Sequence, residues 1–209
     1  QALAAEPAQP AESHLCHRHH EAKAAGVRMG IFKRLFGGFG VKKKVRIVVV
    51  GLDNSGKTTV LNALKPKKAT LETVPTVGFN TEEFQKHGVN FSALDMSGQS
   101  RYRNLWEHYY GEVEGIIVVI DSTDKLRFAV VKDELDTMLA DPRIAEKKMP
   151  ILFLNNKVDQ PAASPPQETM QALGLDRITD RPWQLFSCDA LKGDGVEEAI
   201  KWLAENMTK

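Results

Sequence analysis

The segment Gly51-Leu52-Asp53-Asn54-Ser55-Gly56-Lys57-Thr58-Thr59 constrains this chain more than any other. It fits GxxxxGK[ST] and stands between a β-branched run, residues 45–50, and a helical pattern, residues 57–65, that stops before Pro66. Strand, loop and helix in that order turn backbone N–H groups and a helix N-terminus toward one anion. Gly51 and Gly56 permit the tight turn and the close approach of phosphate. Lys57 places a cation between the β- and γ-phosphates, and the Thr58 hydroxyl can ligate Mg²⁺. Asp53, Asn54, Ser55 and Thr59 complete the candidate phosphate cradle. Kinases and ATPases share such a loop, so the base must be read elsewhere.

After the loop, strand and helix patterns alternate. Residues 79–84 and 90–95 flank His87-Gly88 and predict an antiparallel hairpin. Residues 115–121 (GIIVVID) predict a buried strand, and residues 125–140 an amphipathic helix capped near Ser122 or Thr123. Residues 151–155 predict another strand, and Pro165-Pro166 opens a helix running to Leu173. Residues 183–187 predict the last strand; Val196, Ile200, Leu203 and Met207 then share one face of a closing helix. The alternation implies an α/β fold with a mostly parallel sheet flanked by helices.

Asn156-Lys157-Val158-Asp159 follows the strand at 151–155 and supplies NKxD. The Asp159 carboxylate can accept from guanine N1–H and the 2-amino group, a donor pair that adenine lacks; such a mismatch discriminates by about 10⁴. Asn156 can bridge to the phosphate loop and touch the base, and the Lys157 stem can lie over the ring. Near the last strand, Asp189-Ala190 stands where a backbone N–H can meet guanine O6. Two further segments suit a γ-phosphate. Thr76, in Pro75-Thr76-Val77-Gly78-Phe79, is a candidate ligand for Mg²⁺ and phosphate. In Asp95-Met96-Ser97-Gly98-Gln99, Asp95 would hold a Mg²⁺-bound water, the Gly98 N–H would meet the γ-phosphate, and Gln99 would orient the attacking water. GTP and GDP with Mg²⁺ are the expected ligands.

Residues 1–28 carry Pro7 and Pro10, and four histidines (His14, His17, His19, His20) around Cys16. We read them as a disordered leader or as the product of an upstream reading frame, although the cluster could ligate a metal. Met29-Gly30 reads as a natural start. Ile31, Phe32, Leu35, Phe36 and Phe39 recur on one helix face with Lys33 and Arg34 opposite, and Lys42-Lys43-Lys44 follows. Residues 29–44 are thus a short amphipathic segment with a basic exit, and residues 45–209 the nucleotide-binding domain. The net charge of +1 gives no global attraction to nucleic acid, so none is expected as a partner. The two cysteines, Cys16 and Cys188, fit a reducing compartment.

GLDNSGKTT, PTVGF, DMSGQ and NKVD together resemble the Arf and Arf-like small GTPases, over roughly residues 29–207. DMSGQ with RYRNLWEHYY (residues 101–110) and ELDTML (residues 134–139) is most similar to the subgroup associated with Bardet–Biedl syndrome. The resemblance implies a small-GTPase fold with a six-stranded sheet, partner-stimulated GTP hydrolysis, and an exchange factor and an activating protein. It further implies an effector or coat, the BBSome, and a monomer that is cytoplasmic and peripheral to membranes at the cilium or its base. It assigns Phe79, Trp106 and Tyr109 to an aromatic effector cluster, whereas the residues by themselves read more readily as core than as binding surface. Arg101, Arg103 and Asn104 are read either as effector contacts or as a solvated face. It also implies that the hairpin slides two residues on GTP binding and expels the amphipathic helix; a two-residue slip keeps each side chain on its face. Leu94 and Ser97 depart from the family, which often has tryptophan and glycine there, and Leu191 departs from the usual Lys or Thr. Arg34 interrupts the acylation pattern at Gly30. Asp53 is expected to oppose the triphosphate charge, and no arginine near Thr76 offsets it, so intrinsic hydrolysis should be slow. The alternative is a P-loop kinase or metabolic NTPase.

Overall fold

The computed structural model describes residues 43–66 and 73–208. The leader, the Cys16 cluster, the amphipathic segment and Lys42 lie outside the described residues. The described chain begins with β1 (Lys44–Val50), the phosphate loop, and α1 (Lys57–Leu64). The hairpin β2 (Phe79–Lys86) and β3 (Val89–Met96) comes next, with His87 and Gly88 at φ 47° and 79° in its turn. A 3₁₀ stretch (Ser100–Leu105) leads into α2 (Trp106–Tyr109), then β4 (Gly115–Asp121). The second half runs α3 (Phe128–Ala140), α4 (Pro142–Lys147), β5 (Ile151–Asn156), α5 (Pro166–Leu173), β6 (Trp183–Cys188) and α6 (Val196–Met207).

The six strands form one sheet in the order β2-β3-β1-β4-β5-β6, parallel throughout except for the β2–β3 hairpin. Alternation along β1 explains why both faces are covered. Val45, Ile47 and Val49 bury against α1 and α6, while Val48 and Val50 bury against α2 and α3. β4 and β5 divide the same way, with Ile117, Val119, Leu152 and Leu154 on the first face and Ile116, Val118, Ile151 and Phe153 on the second. A stretch buried on both sides leaves little room for polar residues, which is why Ile47–Val50, Gly115–Ile120 and Ile151–Leu154 are apolar throughout. Crossovers on both faces leave the loops at the C-terminal strand ends gathered at one edge, where ligands of open α/β sheets bind.

Two local expectations fail. The helix expected at 125–140 begins as a 3₁₀ turn, Lys125–Arg127, and its α-helical part has no side-chain cap. Ser122 instead donates its hydroxyl to Asn156 O at 2.7 Å, and Thr123 donates to Asp121 Oδ1 at 2.6 Å. The Ser122 hydroxyl therefore fastens the end of β4 to β5, and the Thr123 hydroxyl builds the loop through Asp121, which outweighs capping. The basic exit also differs. Lys43 Nζ donates to Met207 O at 2.6 Å and lies 3.6 Å from Glu114, and Lys44 pairs with Glu83 at 2.8 Å. Two of the three lysines thus already have partners inside the domain.

Candidate functional site

A cavity of about 410 Å³ opens at the C-terminal ends of β1 and β3. The phosphate loop, Thr76, Gly98 and Gln99 all line it. Every residue that the sequence associates with the γ-phosphate is therefore brought to one place by three separate chain segments.

Gly56 caps α1 at φ 95°, and a Cβ there would lie 2.3 Å from Asn156 Nδ2, so glycine is required on both counts. Lys57 Nζ donates to Gly51 O at 3.0 Å and Leu52 O at 2.9 Å, which leaves one N–H for an outside acceptor. Burial lowers its pKa to about 8 against the raising influence of Asp95 and Asp53. An anion in the cavity would reverse that by favouring the charged form.

Opposite Lys57, Thr58 Oγ1 donates to Asp95 Oδ2 at 2.6 Å and lies 3.2 Å from Thr76 Oγ1. Asp95 is buried, which raises its carboxyl pKa despite the Thr58 hydrogen bond, and its Oδ1 has no hydrogen-bond partner. Three hard oxygen donors around an unsatisfied carboxylate oxygen fit a Mg²⁺ ion with its waters. Among the described residues no cluster of three or more His, Cys, Asp or Glu side chains could hold a metal by itself.

Gly98 is packed against the phosphate loop. A Cβ at Gly98 would lie 2.2 Å from Asp53 N, so any side chain would force the two loops apart. Gln99 lines the cavity, and its Oε1 accepts from Arg101 Nε at 3.1 Å. Asp53 does not face the cavity unpaired, as expected from sequence. Its Oδ1 accepts from Arg127 Nη1 at 3.0 Å and lies 4.0 Å from Arg103 Nη2. A charge of the opposite sign brought in by the tertiary fold corrects the sequence-based view of Asp53.

The NKxD segment sits at the end of β5. Asn156 Nδ2 donates to Ser55 O at 2.8 Å, and its Oδ1 accepts from Ala190 N at 3.0 Å. It thus ties the phosphate loop to the loop after β6. Lys157 Nζ pairs with Asp121 Oδ2 at 2.6 Å, which stretches its stem across the loop. Burial would raise the Asp121 pKa, but the hydrogen bonds from Lys157 and Thr123 outweigh it and hold the carboxyl below its ordinary range. Asp159 is exposed, and among the described residues its carboxylate feels the charge of the Lys192 ammonium.

Two expectations at the base end need correction. The Ala190 N–H already bonds Asn156, so a contact with guanine O6 would be the second limb of a three-centre bond. Asp189 turns its carboxylate to the N–H groups of Leu191 and Lys192 at 3.0 and 3.3 Å and to the Lys192 ammonium at 2.8 Å. It builds its own loop through Oδ1, while its Oδ2 has the Lys192 ion pair and no hydrogen-bond partner.

The sequence reading also misplaced Trp106 and missed Asp121. Trp106 is buried, with its indole N–H on Ser97 O at 3.0 Å, whereas Phe79 is 40% exposed and packs on Tyr109 with ring centroids 4.9 Å apart and planes tilted by 55°. Only Phe79 and Tyr109 remain as an outward aromatic pair. For Asp121 the available signal was an acidic residue closing an otherwise apolar strand. Cys188 is buried, which pushes its thiol up to about 12 and makes it a packing residue.

The fold, the phosphate loop at the end of β1 and the NKxD segment at the end of β5 define a P-loop GTPase. The model of the ADP-ribosylation factor family matches residues 30–207. ADP-ribosylation factor-like protein 6 of Danio rerio is 49% identical over 181 residues, covering 86% of this chain and 97% of that protein. The protein of the same name from Caenorhabditis elegans is 43% identical over 183 residues, covering 87% and 96%. Among solved structures, the Arl6/BBS3 small GTPase of Trypanosoma brucei with bound GppNp superimposes with a TM-score of 0.75 at 39% identity. That match covers 79% of this chain and 98% of the other. This chain belongs to the Arf family of small GTPases. It is an Arf-like switch and a GTP hydrolase, and the kinase or metabolic NTPase alternative falls away.

Proposed function

We propose that this GTPase is a membrane-recruited switch that binds Mg²⁺ with GTP and, in that state, recruits the BBSome or a related coat at the cilium. The observation that carries the switch reading is the convergence of Thr76, Gly98 and Gln99 on the cavity of the phosphate loop. Those contacts reach the γ-phosphate position, so GTP and GDP would leave the two flanking loops differently ordered. The ciliary assignment is supported by the names of the relatives and by the 101–110 string.

In this reading, backbone N–H groups from Asn54 to Thr59 cradle the phosphates, and Lys57 directs its remaining N–H to the β,γ-bridge. Thr58, Thr76 and, through water, Asp95 would hold Mg²⁺, which supplies neutralisation of the phosphate charge. Gln99 orients a water in line with the bond between the γ-phosphorus and the β-oxygen. As that bond breaks, GDP departs with the electron pair and phosphate leaves with the water's oxygen. Arg103 and Arg127 lie near the loop, but their guanidinium groups are taken by Glu134, Asp124, Asp53 and the Gly98 carbonyl. Neither is free to neutralise the transition state, so hydrolysis is slow until a partner assists.

Membrane association rests on Ile31, Phe32, Leu35, Phe36 and Phe39 with Lys33, Arg34 and Lys42. Lys43 and Lys44 would contribute only after leaving Glu114 and Glu83. Among the described residues no helix is long and apolar enough to cross a membrane. The test is capture from ciliated-cell extract on immobilised Gln99→Leu loaded with GTP and Thr58→Asn loaded with GDP. BBSome subunits should be retained at least about tenfold more by the first, the span of a typical state-dependent coupling. Equal retention would remove the proposed effector.

A further inference from the structure

The outer side of the Ser97–Gln99 loop is held as closely as its inner side. Two consecutive carbonyls point away from the cavity, each onto a side chain from the following helical stretch. Ser97 O accepts from Trp106 Nε1 at 3.0 Å, and Gly98 O accepts from Arg103 Nε at 3.0 Å. In a trans peptide the C=O and N–H point in opposite directions. Fixing the Ser97 carbonyl outward therefore turns the Gly98 N–H inward, where it has no partner among the described residues. Fixing the Gly98 carbonyl sets the next peptide plane, from which the Gln99 side chain springs.

Arg103 is itself anchored. Its Nη1 donates to Glu134 Oε1 of α3 at 2.9 Å, and its Nη2 lies 4.0 Å from Asp53 Oδ1 in the phosphate loop. Arg127, at the start of α3, holds the same Asp53 oxygen. The guanidinium thus joins the γ-phosphate-facing loop to α3 and to the phosphate loop through three of its nitrogens. Its side chain is only 14% exposed, so this is neither a solvated face nor a free effector contact.

We propose that Arg103 is a positioning residue for GTP. By holding the Gly98 carbonyl, with Glu134 and Asp53 steadying the fork, it places Gly98 and Gln99 for the γ-phosphate and the attacking water. The inference rests on the reading of Gly98 and Gln99 given above. It requires a forked donor: a lysine could pair with Glu134 but could not hold Gly98 O in the same plane.

The test measures release of a fluorescent non-hydrolysable GTP analogue and of fluorescent GDP, with single-turnover hydrolysis of preloaded GTP. Arg103→Ala and Arg103→Lys should both release the analogue about tenfold faster, the effect of one charge-assisted hydrogen bond, with GDP release unchanged. Hydrolysis should fall by tenfold or more in both. Glu134→Gln, which keeps an acceptor oxygen, should lie between these and the wild type. If Arg103→Lys behaves as wild type, Arg103 merely pairs with Glu134 and the proposal is overturned. Equal acceleration of GDP and analogue release would show general loosening and overturn it as well. Gln99→Leu separates the two levels. Wild-type hydrolysis by Gln99→Leu removes the site reading itself, whereas an inactive Gln99→Leu beside a wild-type-like Arg103→Ala removes only Arg103.

Discussion

The two ends of the nucleotide site are built differently. At the base end, Asn155, Asn156, Ser122, Ser164 and Thr169 are all buried, and their hydrogen bonds run between β4, β5, α5 and the phosphate loop. Asn155 and Asn156 stand on the central parallel strand β5, and the others hold them from the neighbouring loops and α5, so the geometry exists before a ligand arrives. At the γ-phosphate end, Thr76 stands among residues that are largely exposed: Val74 at 74% and Val77 at 68%. The hairpin strand that follows, β2, is an edge strand with Phe84 its one fully buried residue. A preformed pocket gives constant base recognition, while a sparsely packed segment can be reordered by one phosphate group. The same molecule therefore separates what it binds from what it reports.

The largest expected effect belongs to the base end. Asp159→Asn should shift preference from guanine toward xanthine nucleotides by about 10⁴, because the amide can donate where the carboxylate only accepts. Competition titration of GTP against XTP would measure it, and unchanged GTP affinity would remove Asp159 from the site. Next comes Lys57→Ala. Loss of a buried, charge-assisted contact should weaken GTP and GDP together by roughly a hundredfold, without a change in base preference. Calorimetric titration with GTP, GDP and ATP would show whether the loss is base-independent.

Much of this contrast can be read in the sequence, but unevenly. The runs at 45–50, 115–121 and 151–155 became strands within a residue of the expected bounds, because a sheet covered on both faces leaves no other arrangement. The phosphate loop was legible because its chemistry is carried by contiguous residues. Asp53, Arg103 and Trp106 were not, since their meaning depends on partners that lie from 5 to 74 positions away. The short α4 was overlooked, although Asp141 caps it and Pro142 opens it, a local signal that could have been used. Ser122 and Thr123 misled because hydroxyls suited to capping found other partners, Ser122 across the sheet in Asn156 and Thr123 locally in Asp121.

A smaller effect sharpens the base end. The Asp121 carboxyl is held below its ordinary range, so the ionised form is favoured by folding. Its contribution is complete above the unfolded-state pKa, roughly 4, and is lost as pH falls through the lower folded-state value. Asp121→Asn should therefore melt at a lower temperature than wild type at pH 7, with the gap narrowing below pH 4. A gap that stays constant with pH would mean that the Lys157–Asp121 pair adds nothing as an ion pair.

Amide hydrogen exchange of the GDP and GTP-analogue forms tests the division most directly. The account predicts that residues 73–84 and 97–106 gain protection on exchanging GDP for the GTP analogue, while residues 155–159 and 187–190 keep the same protection in both forms. Protection that changes equally at both ends, or only at the base end, would contradict it.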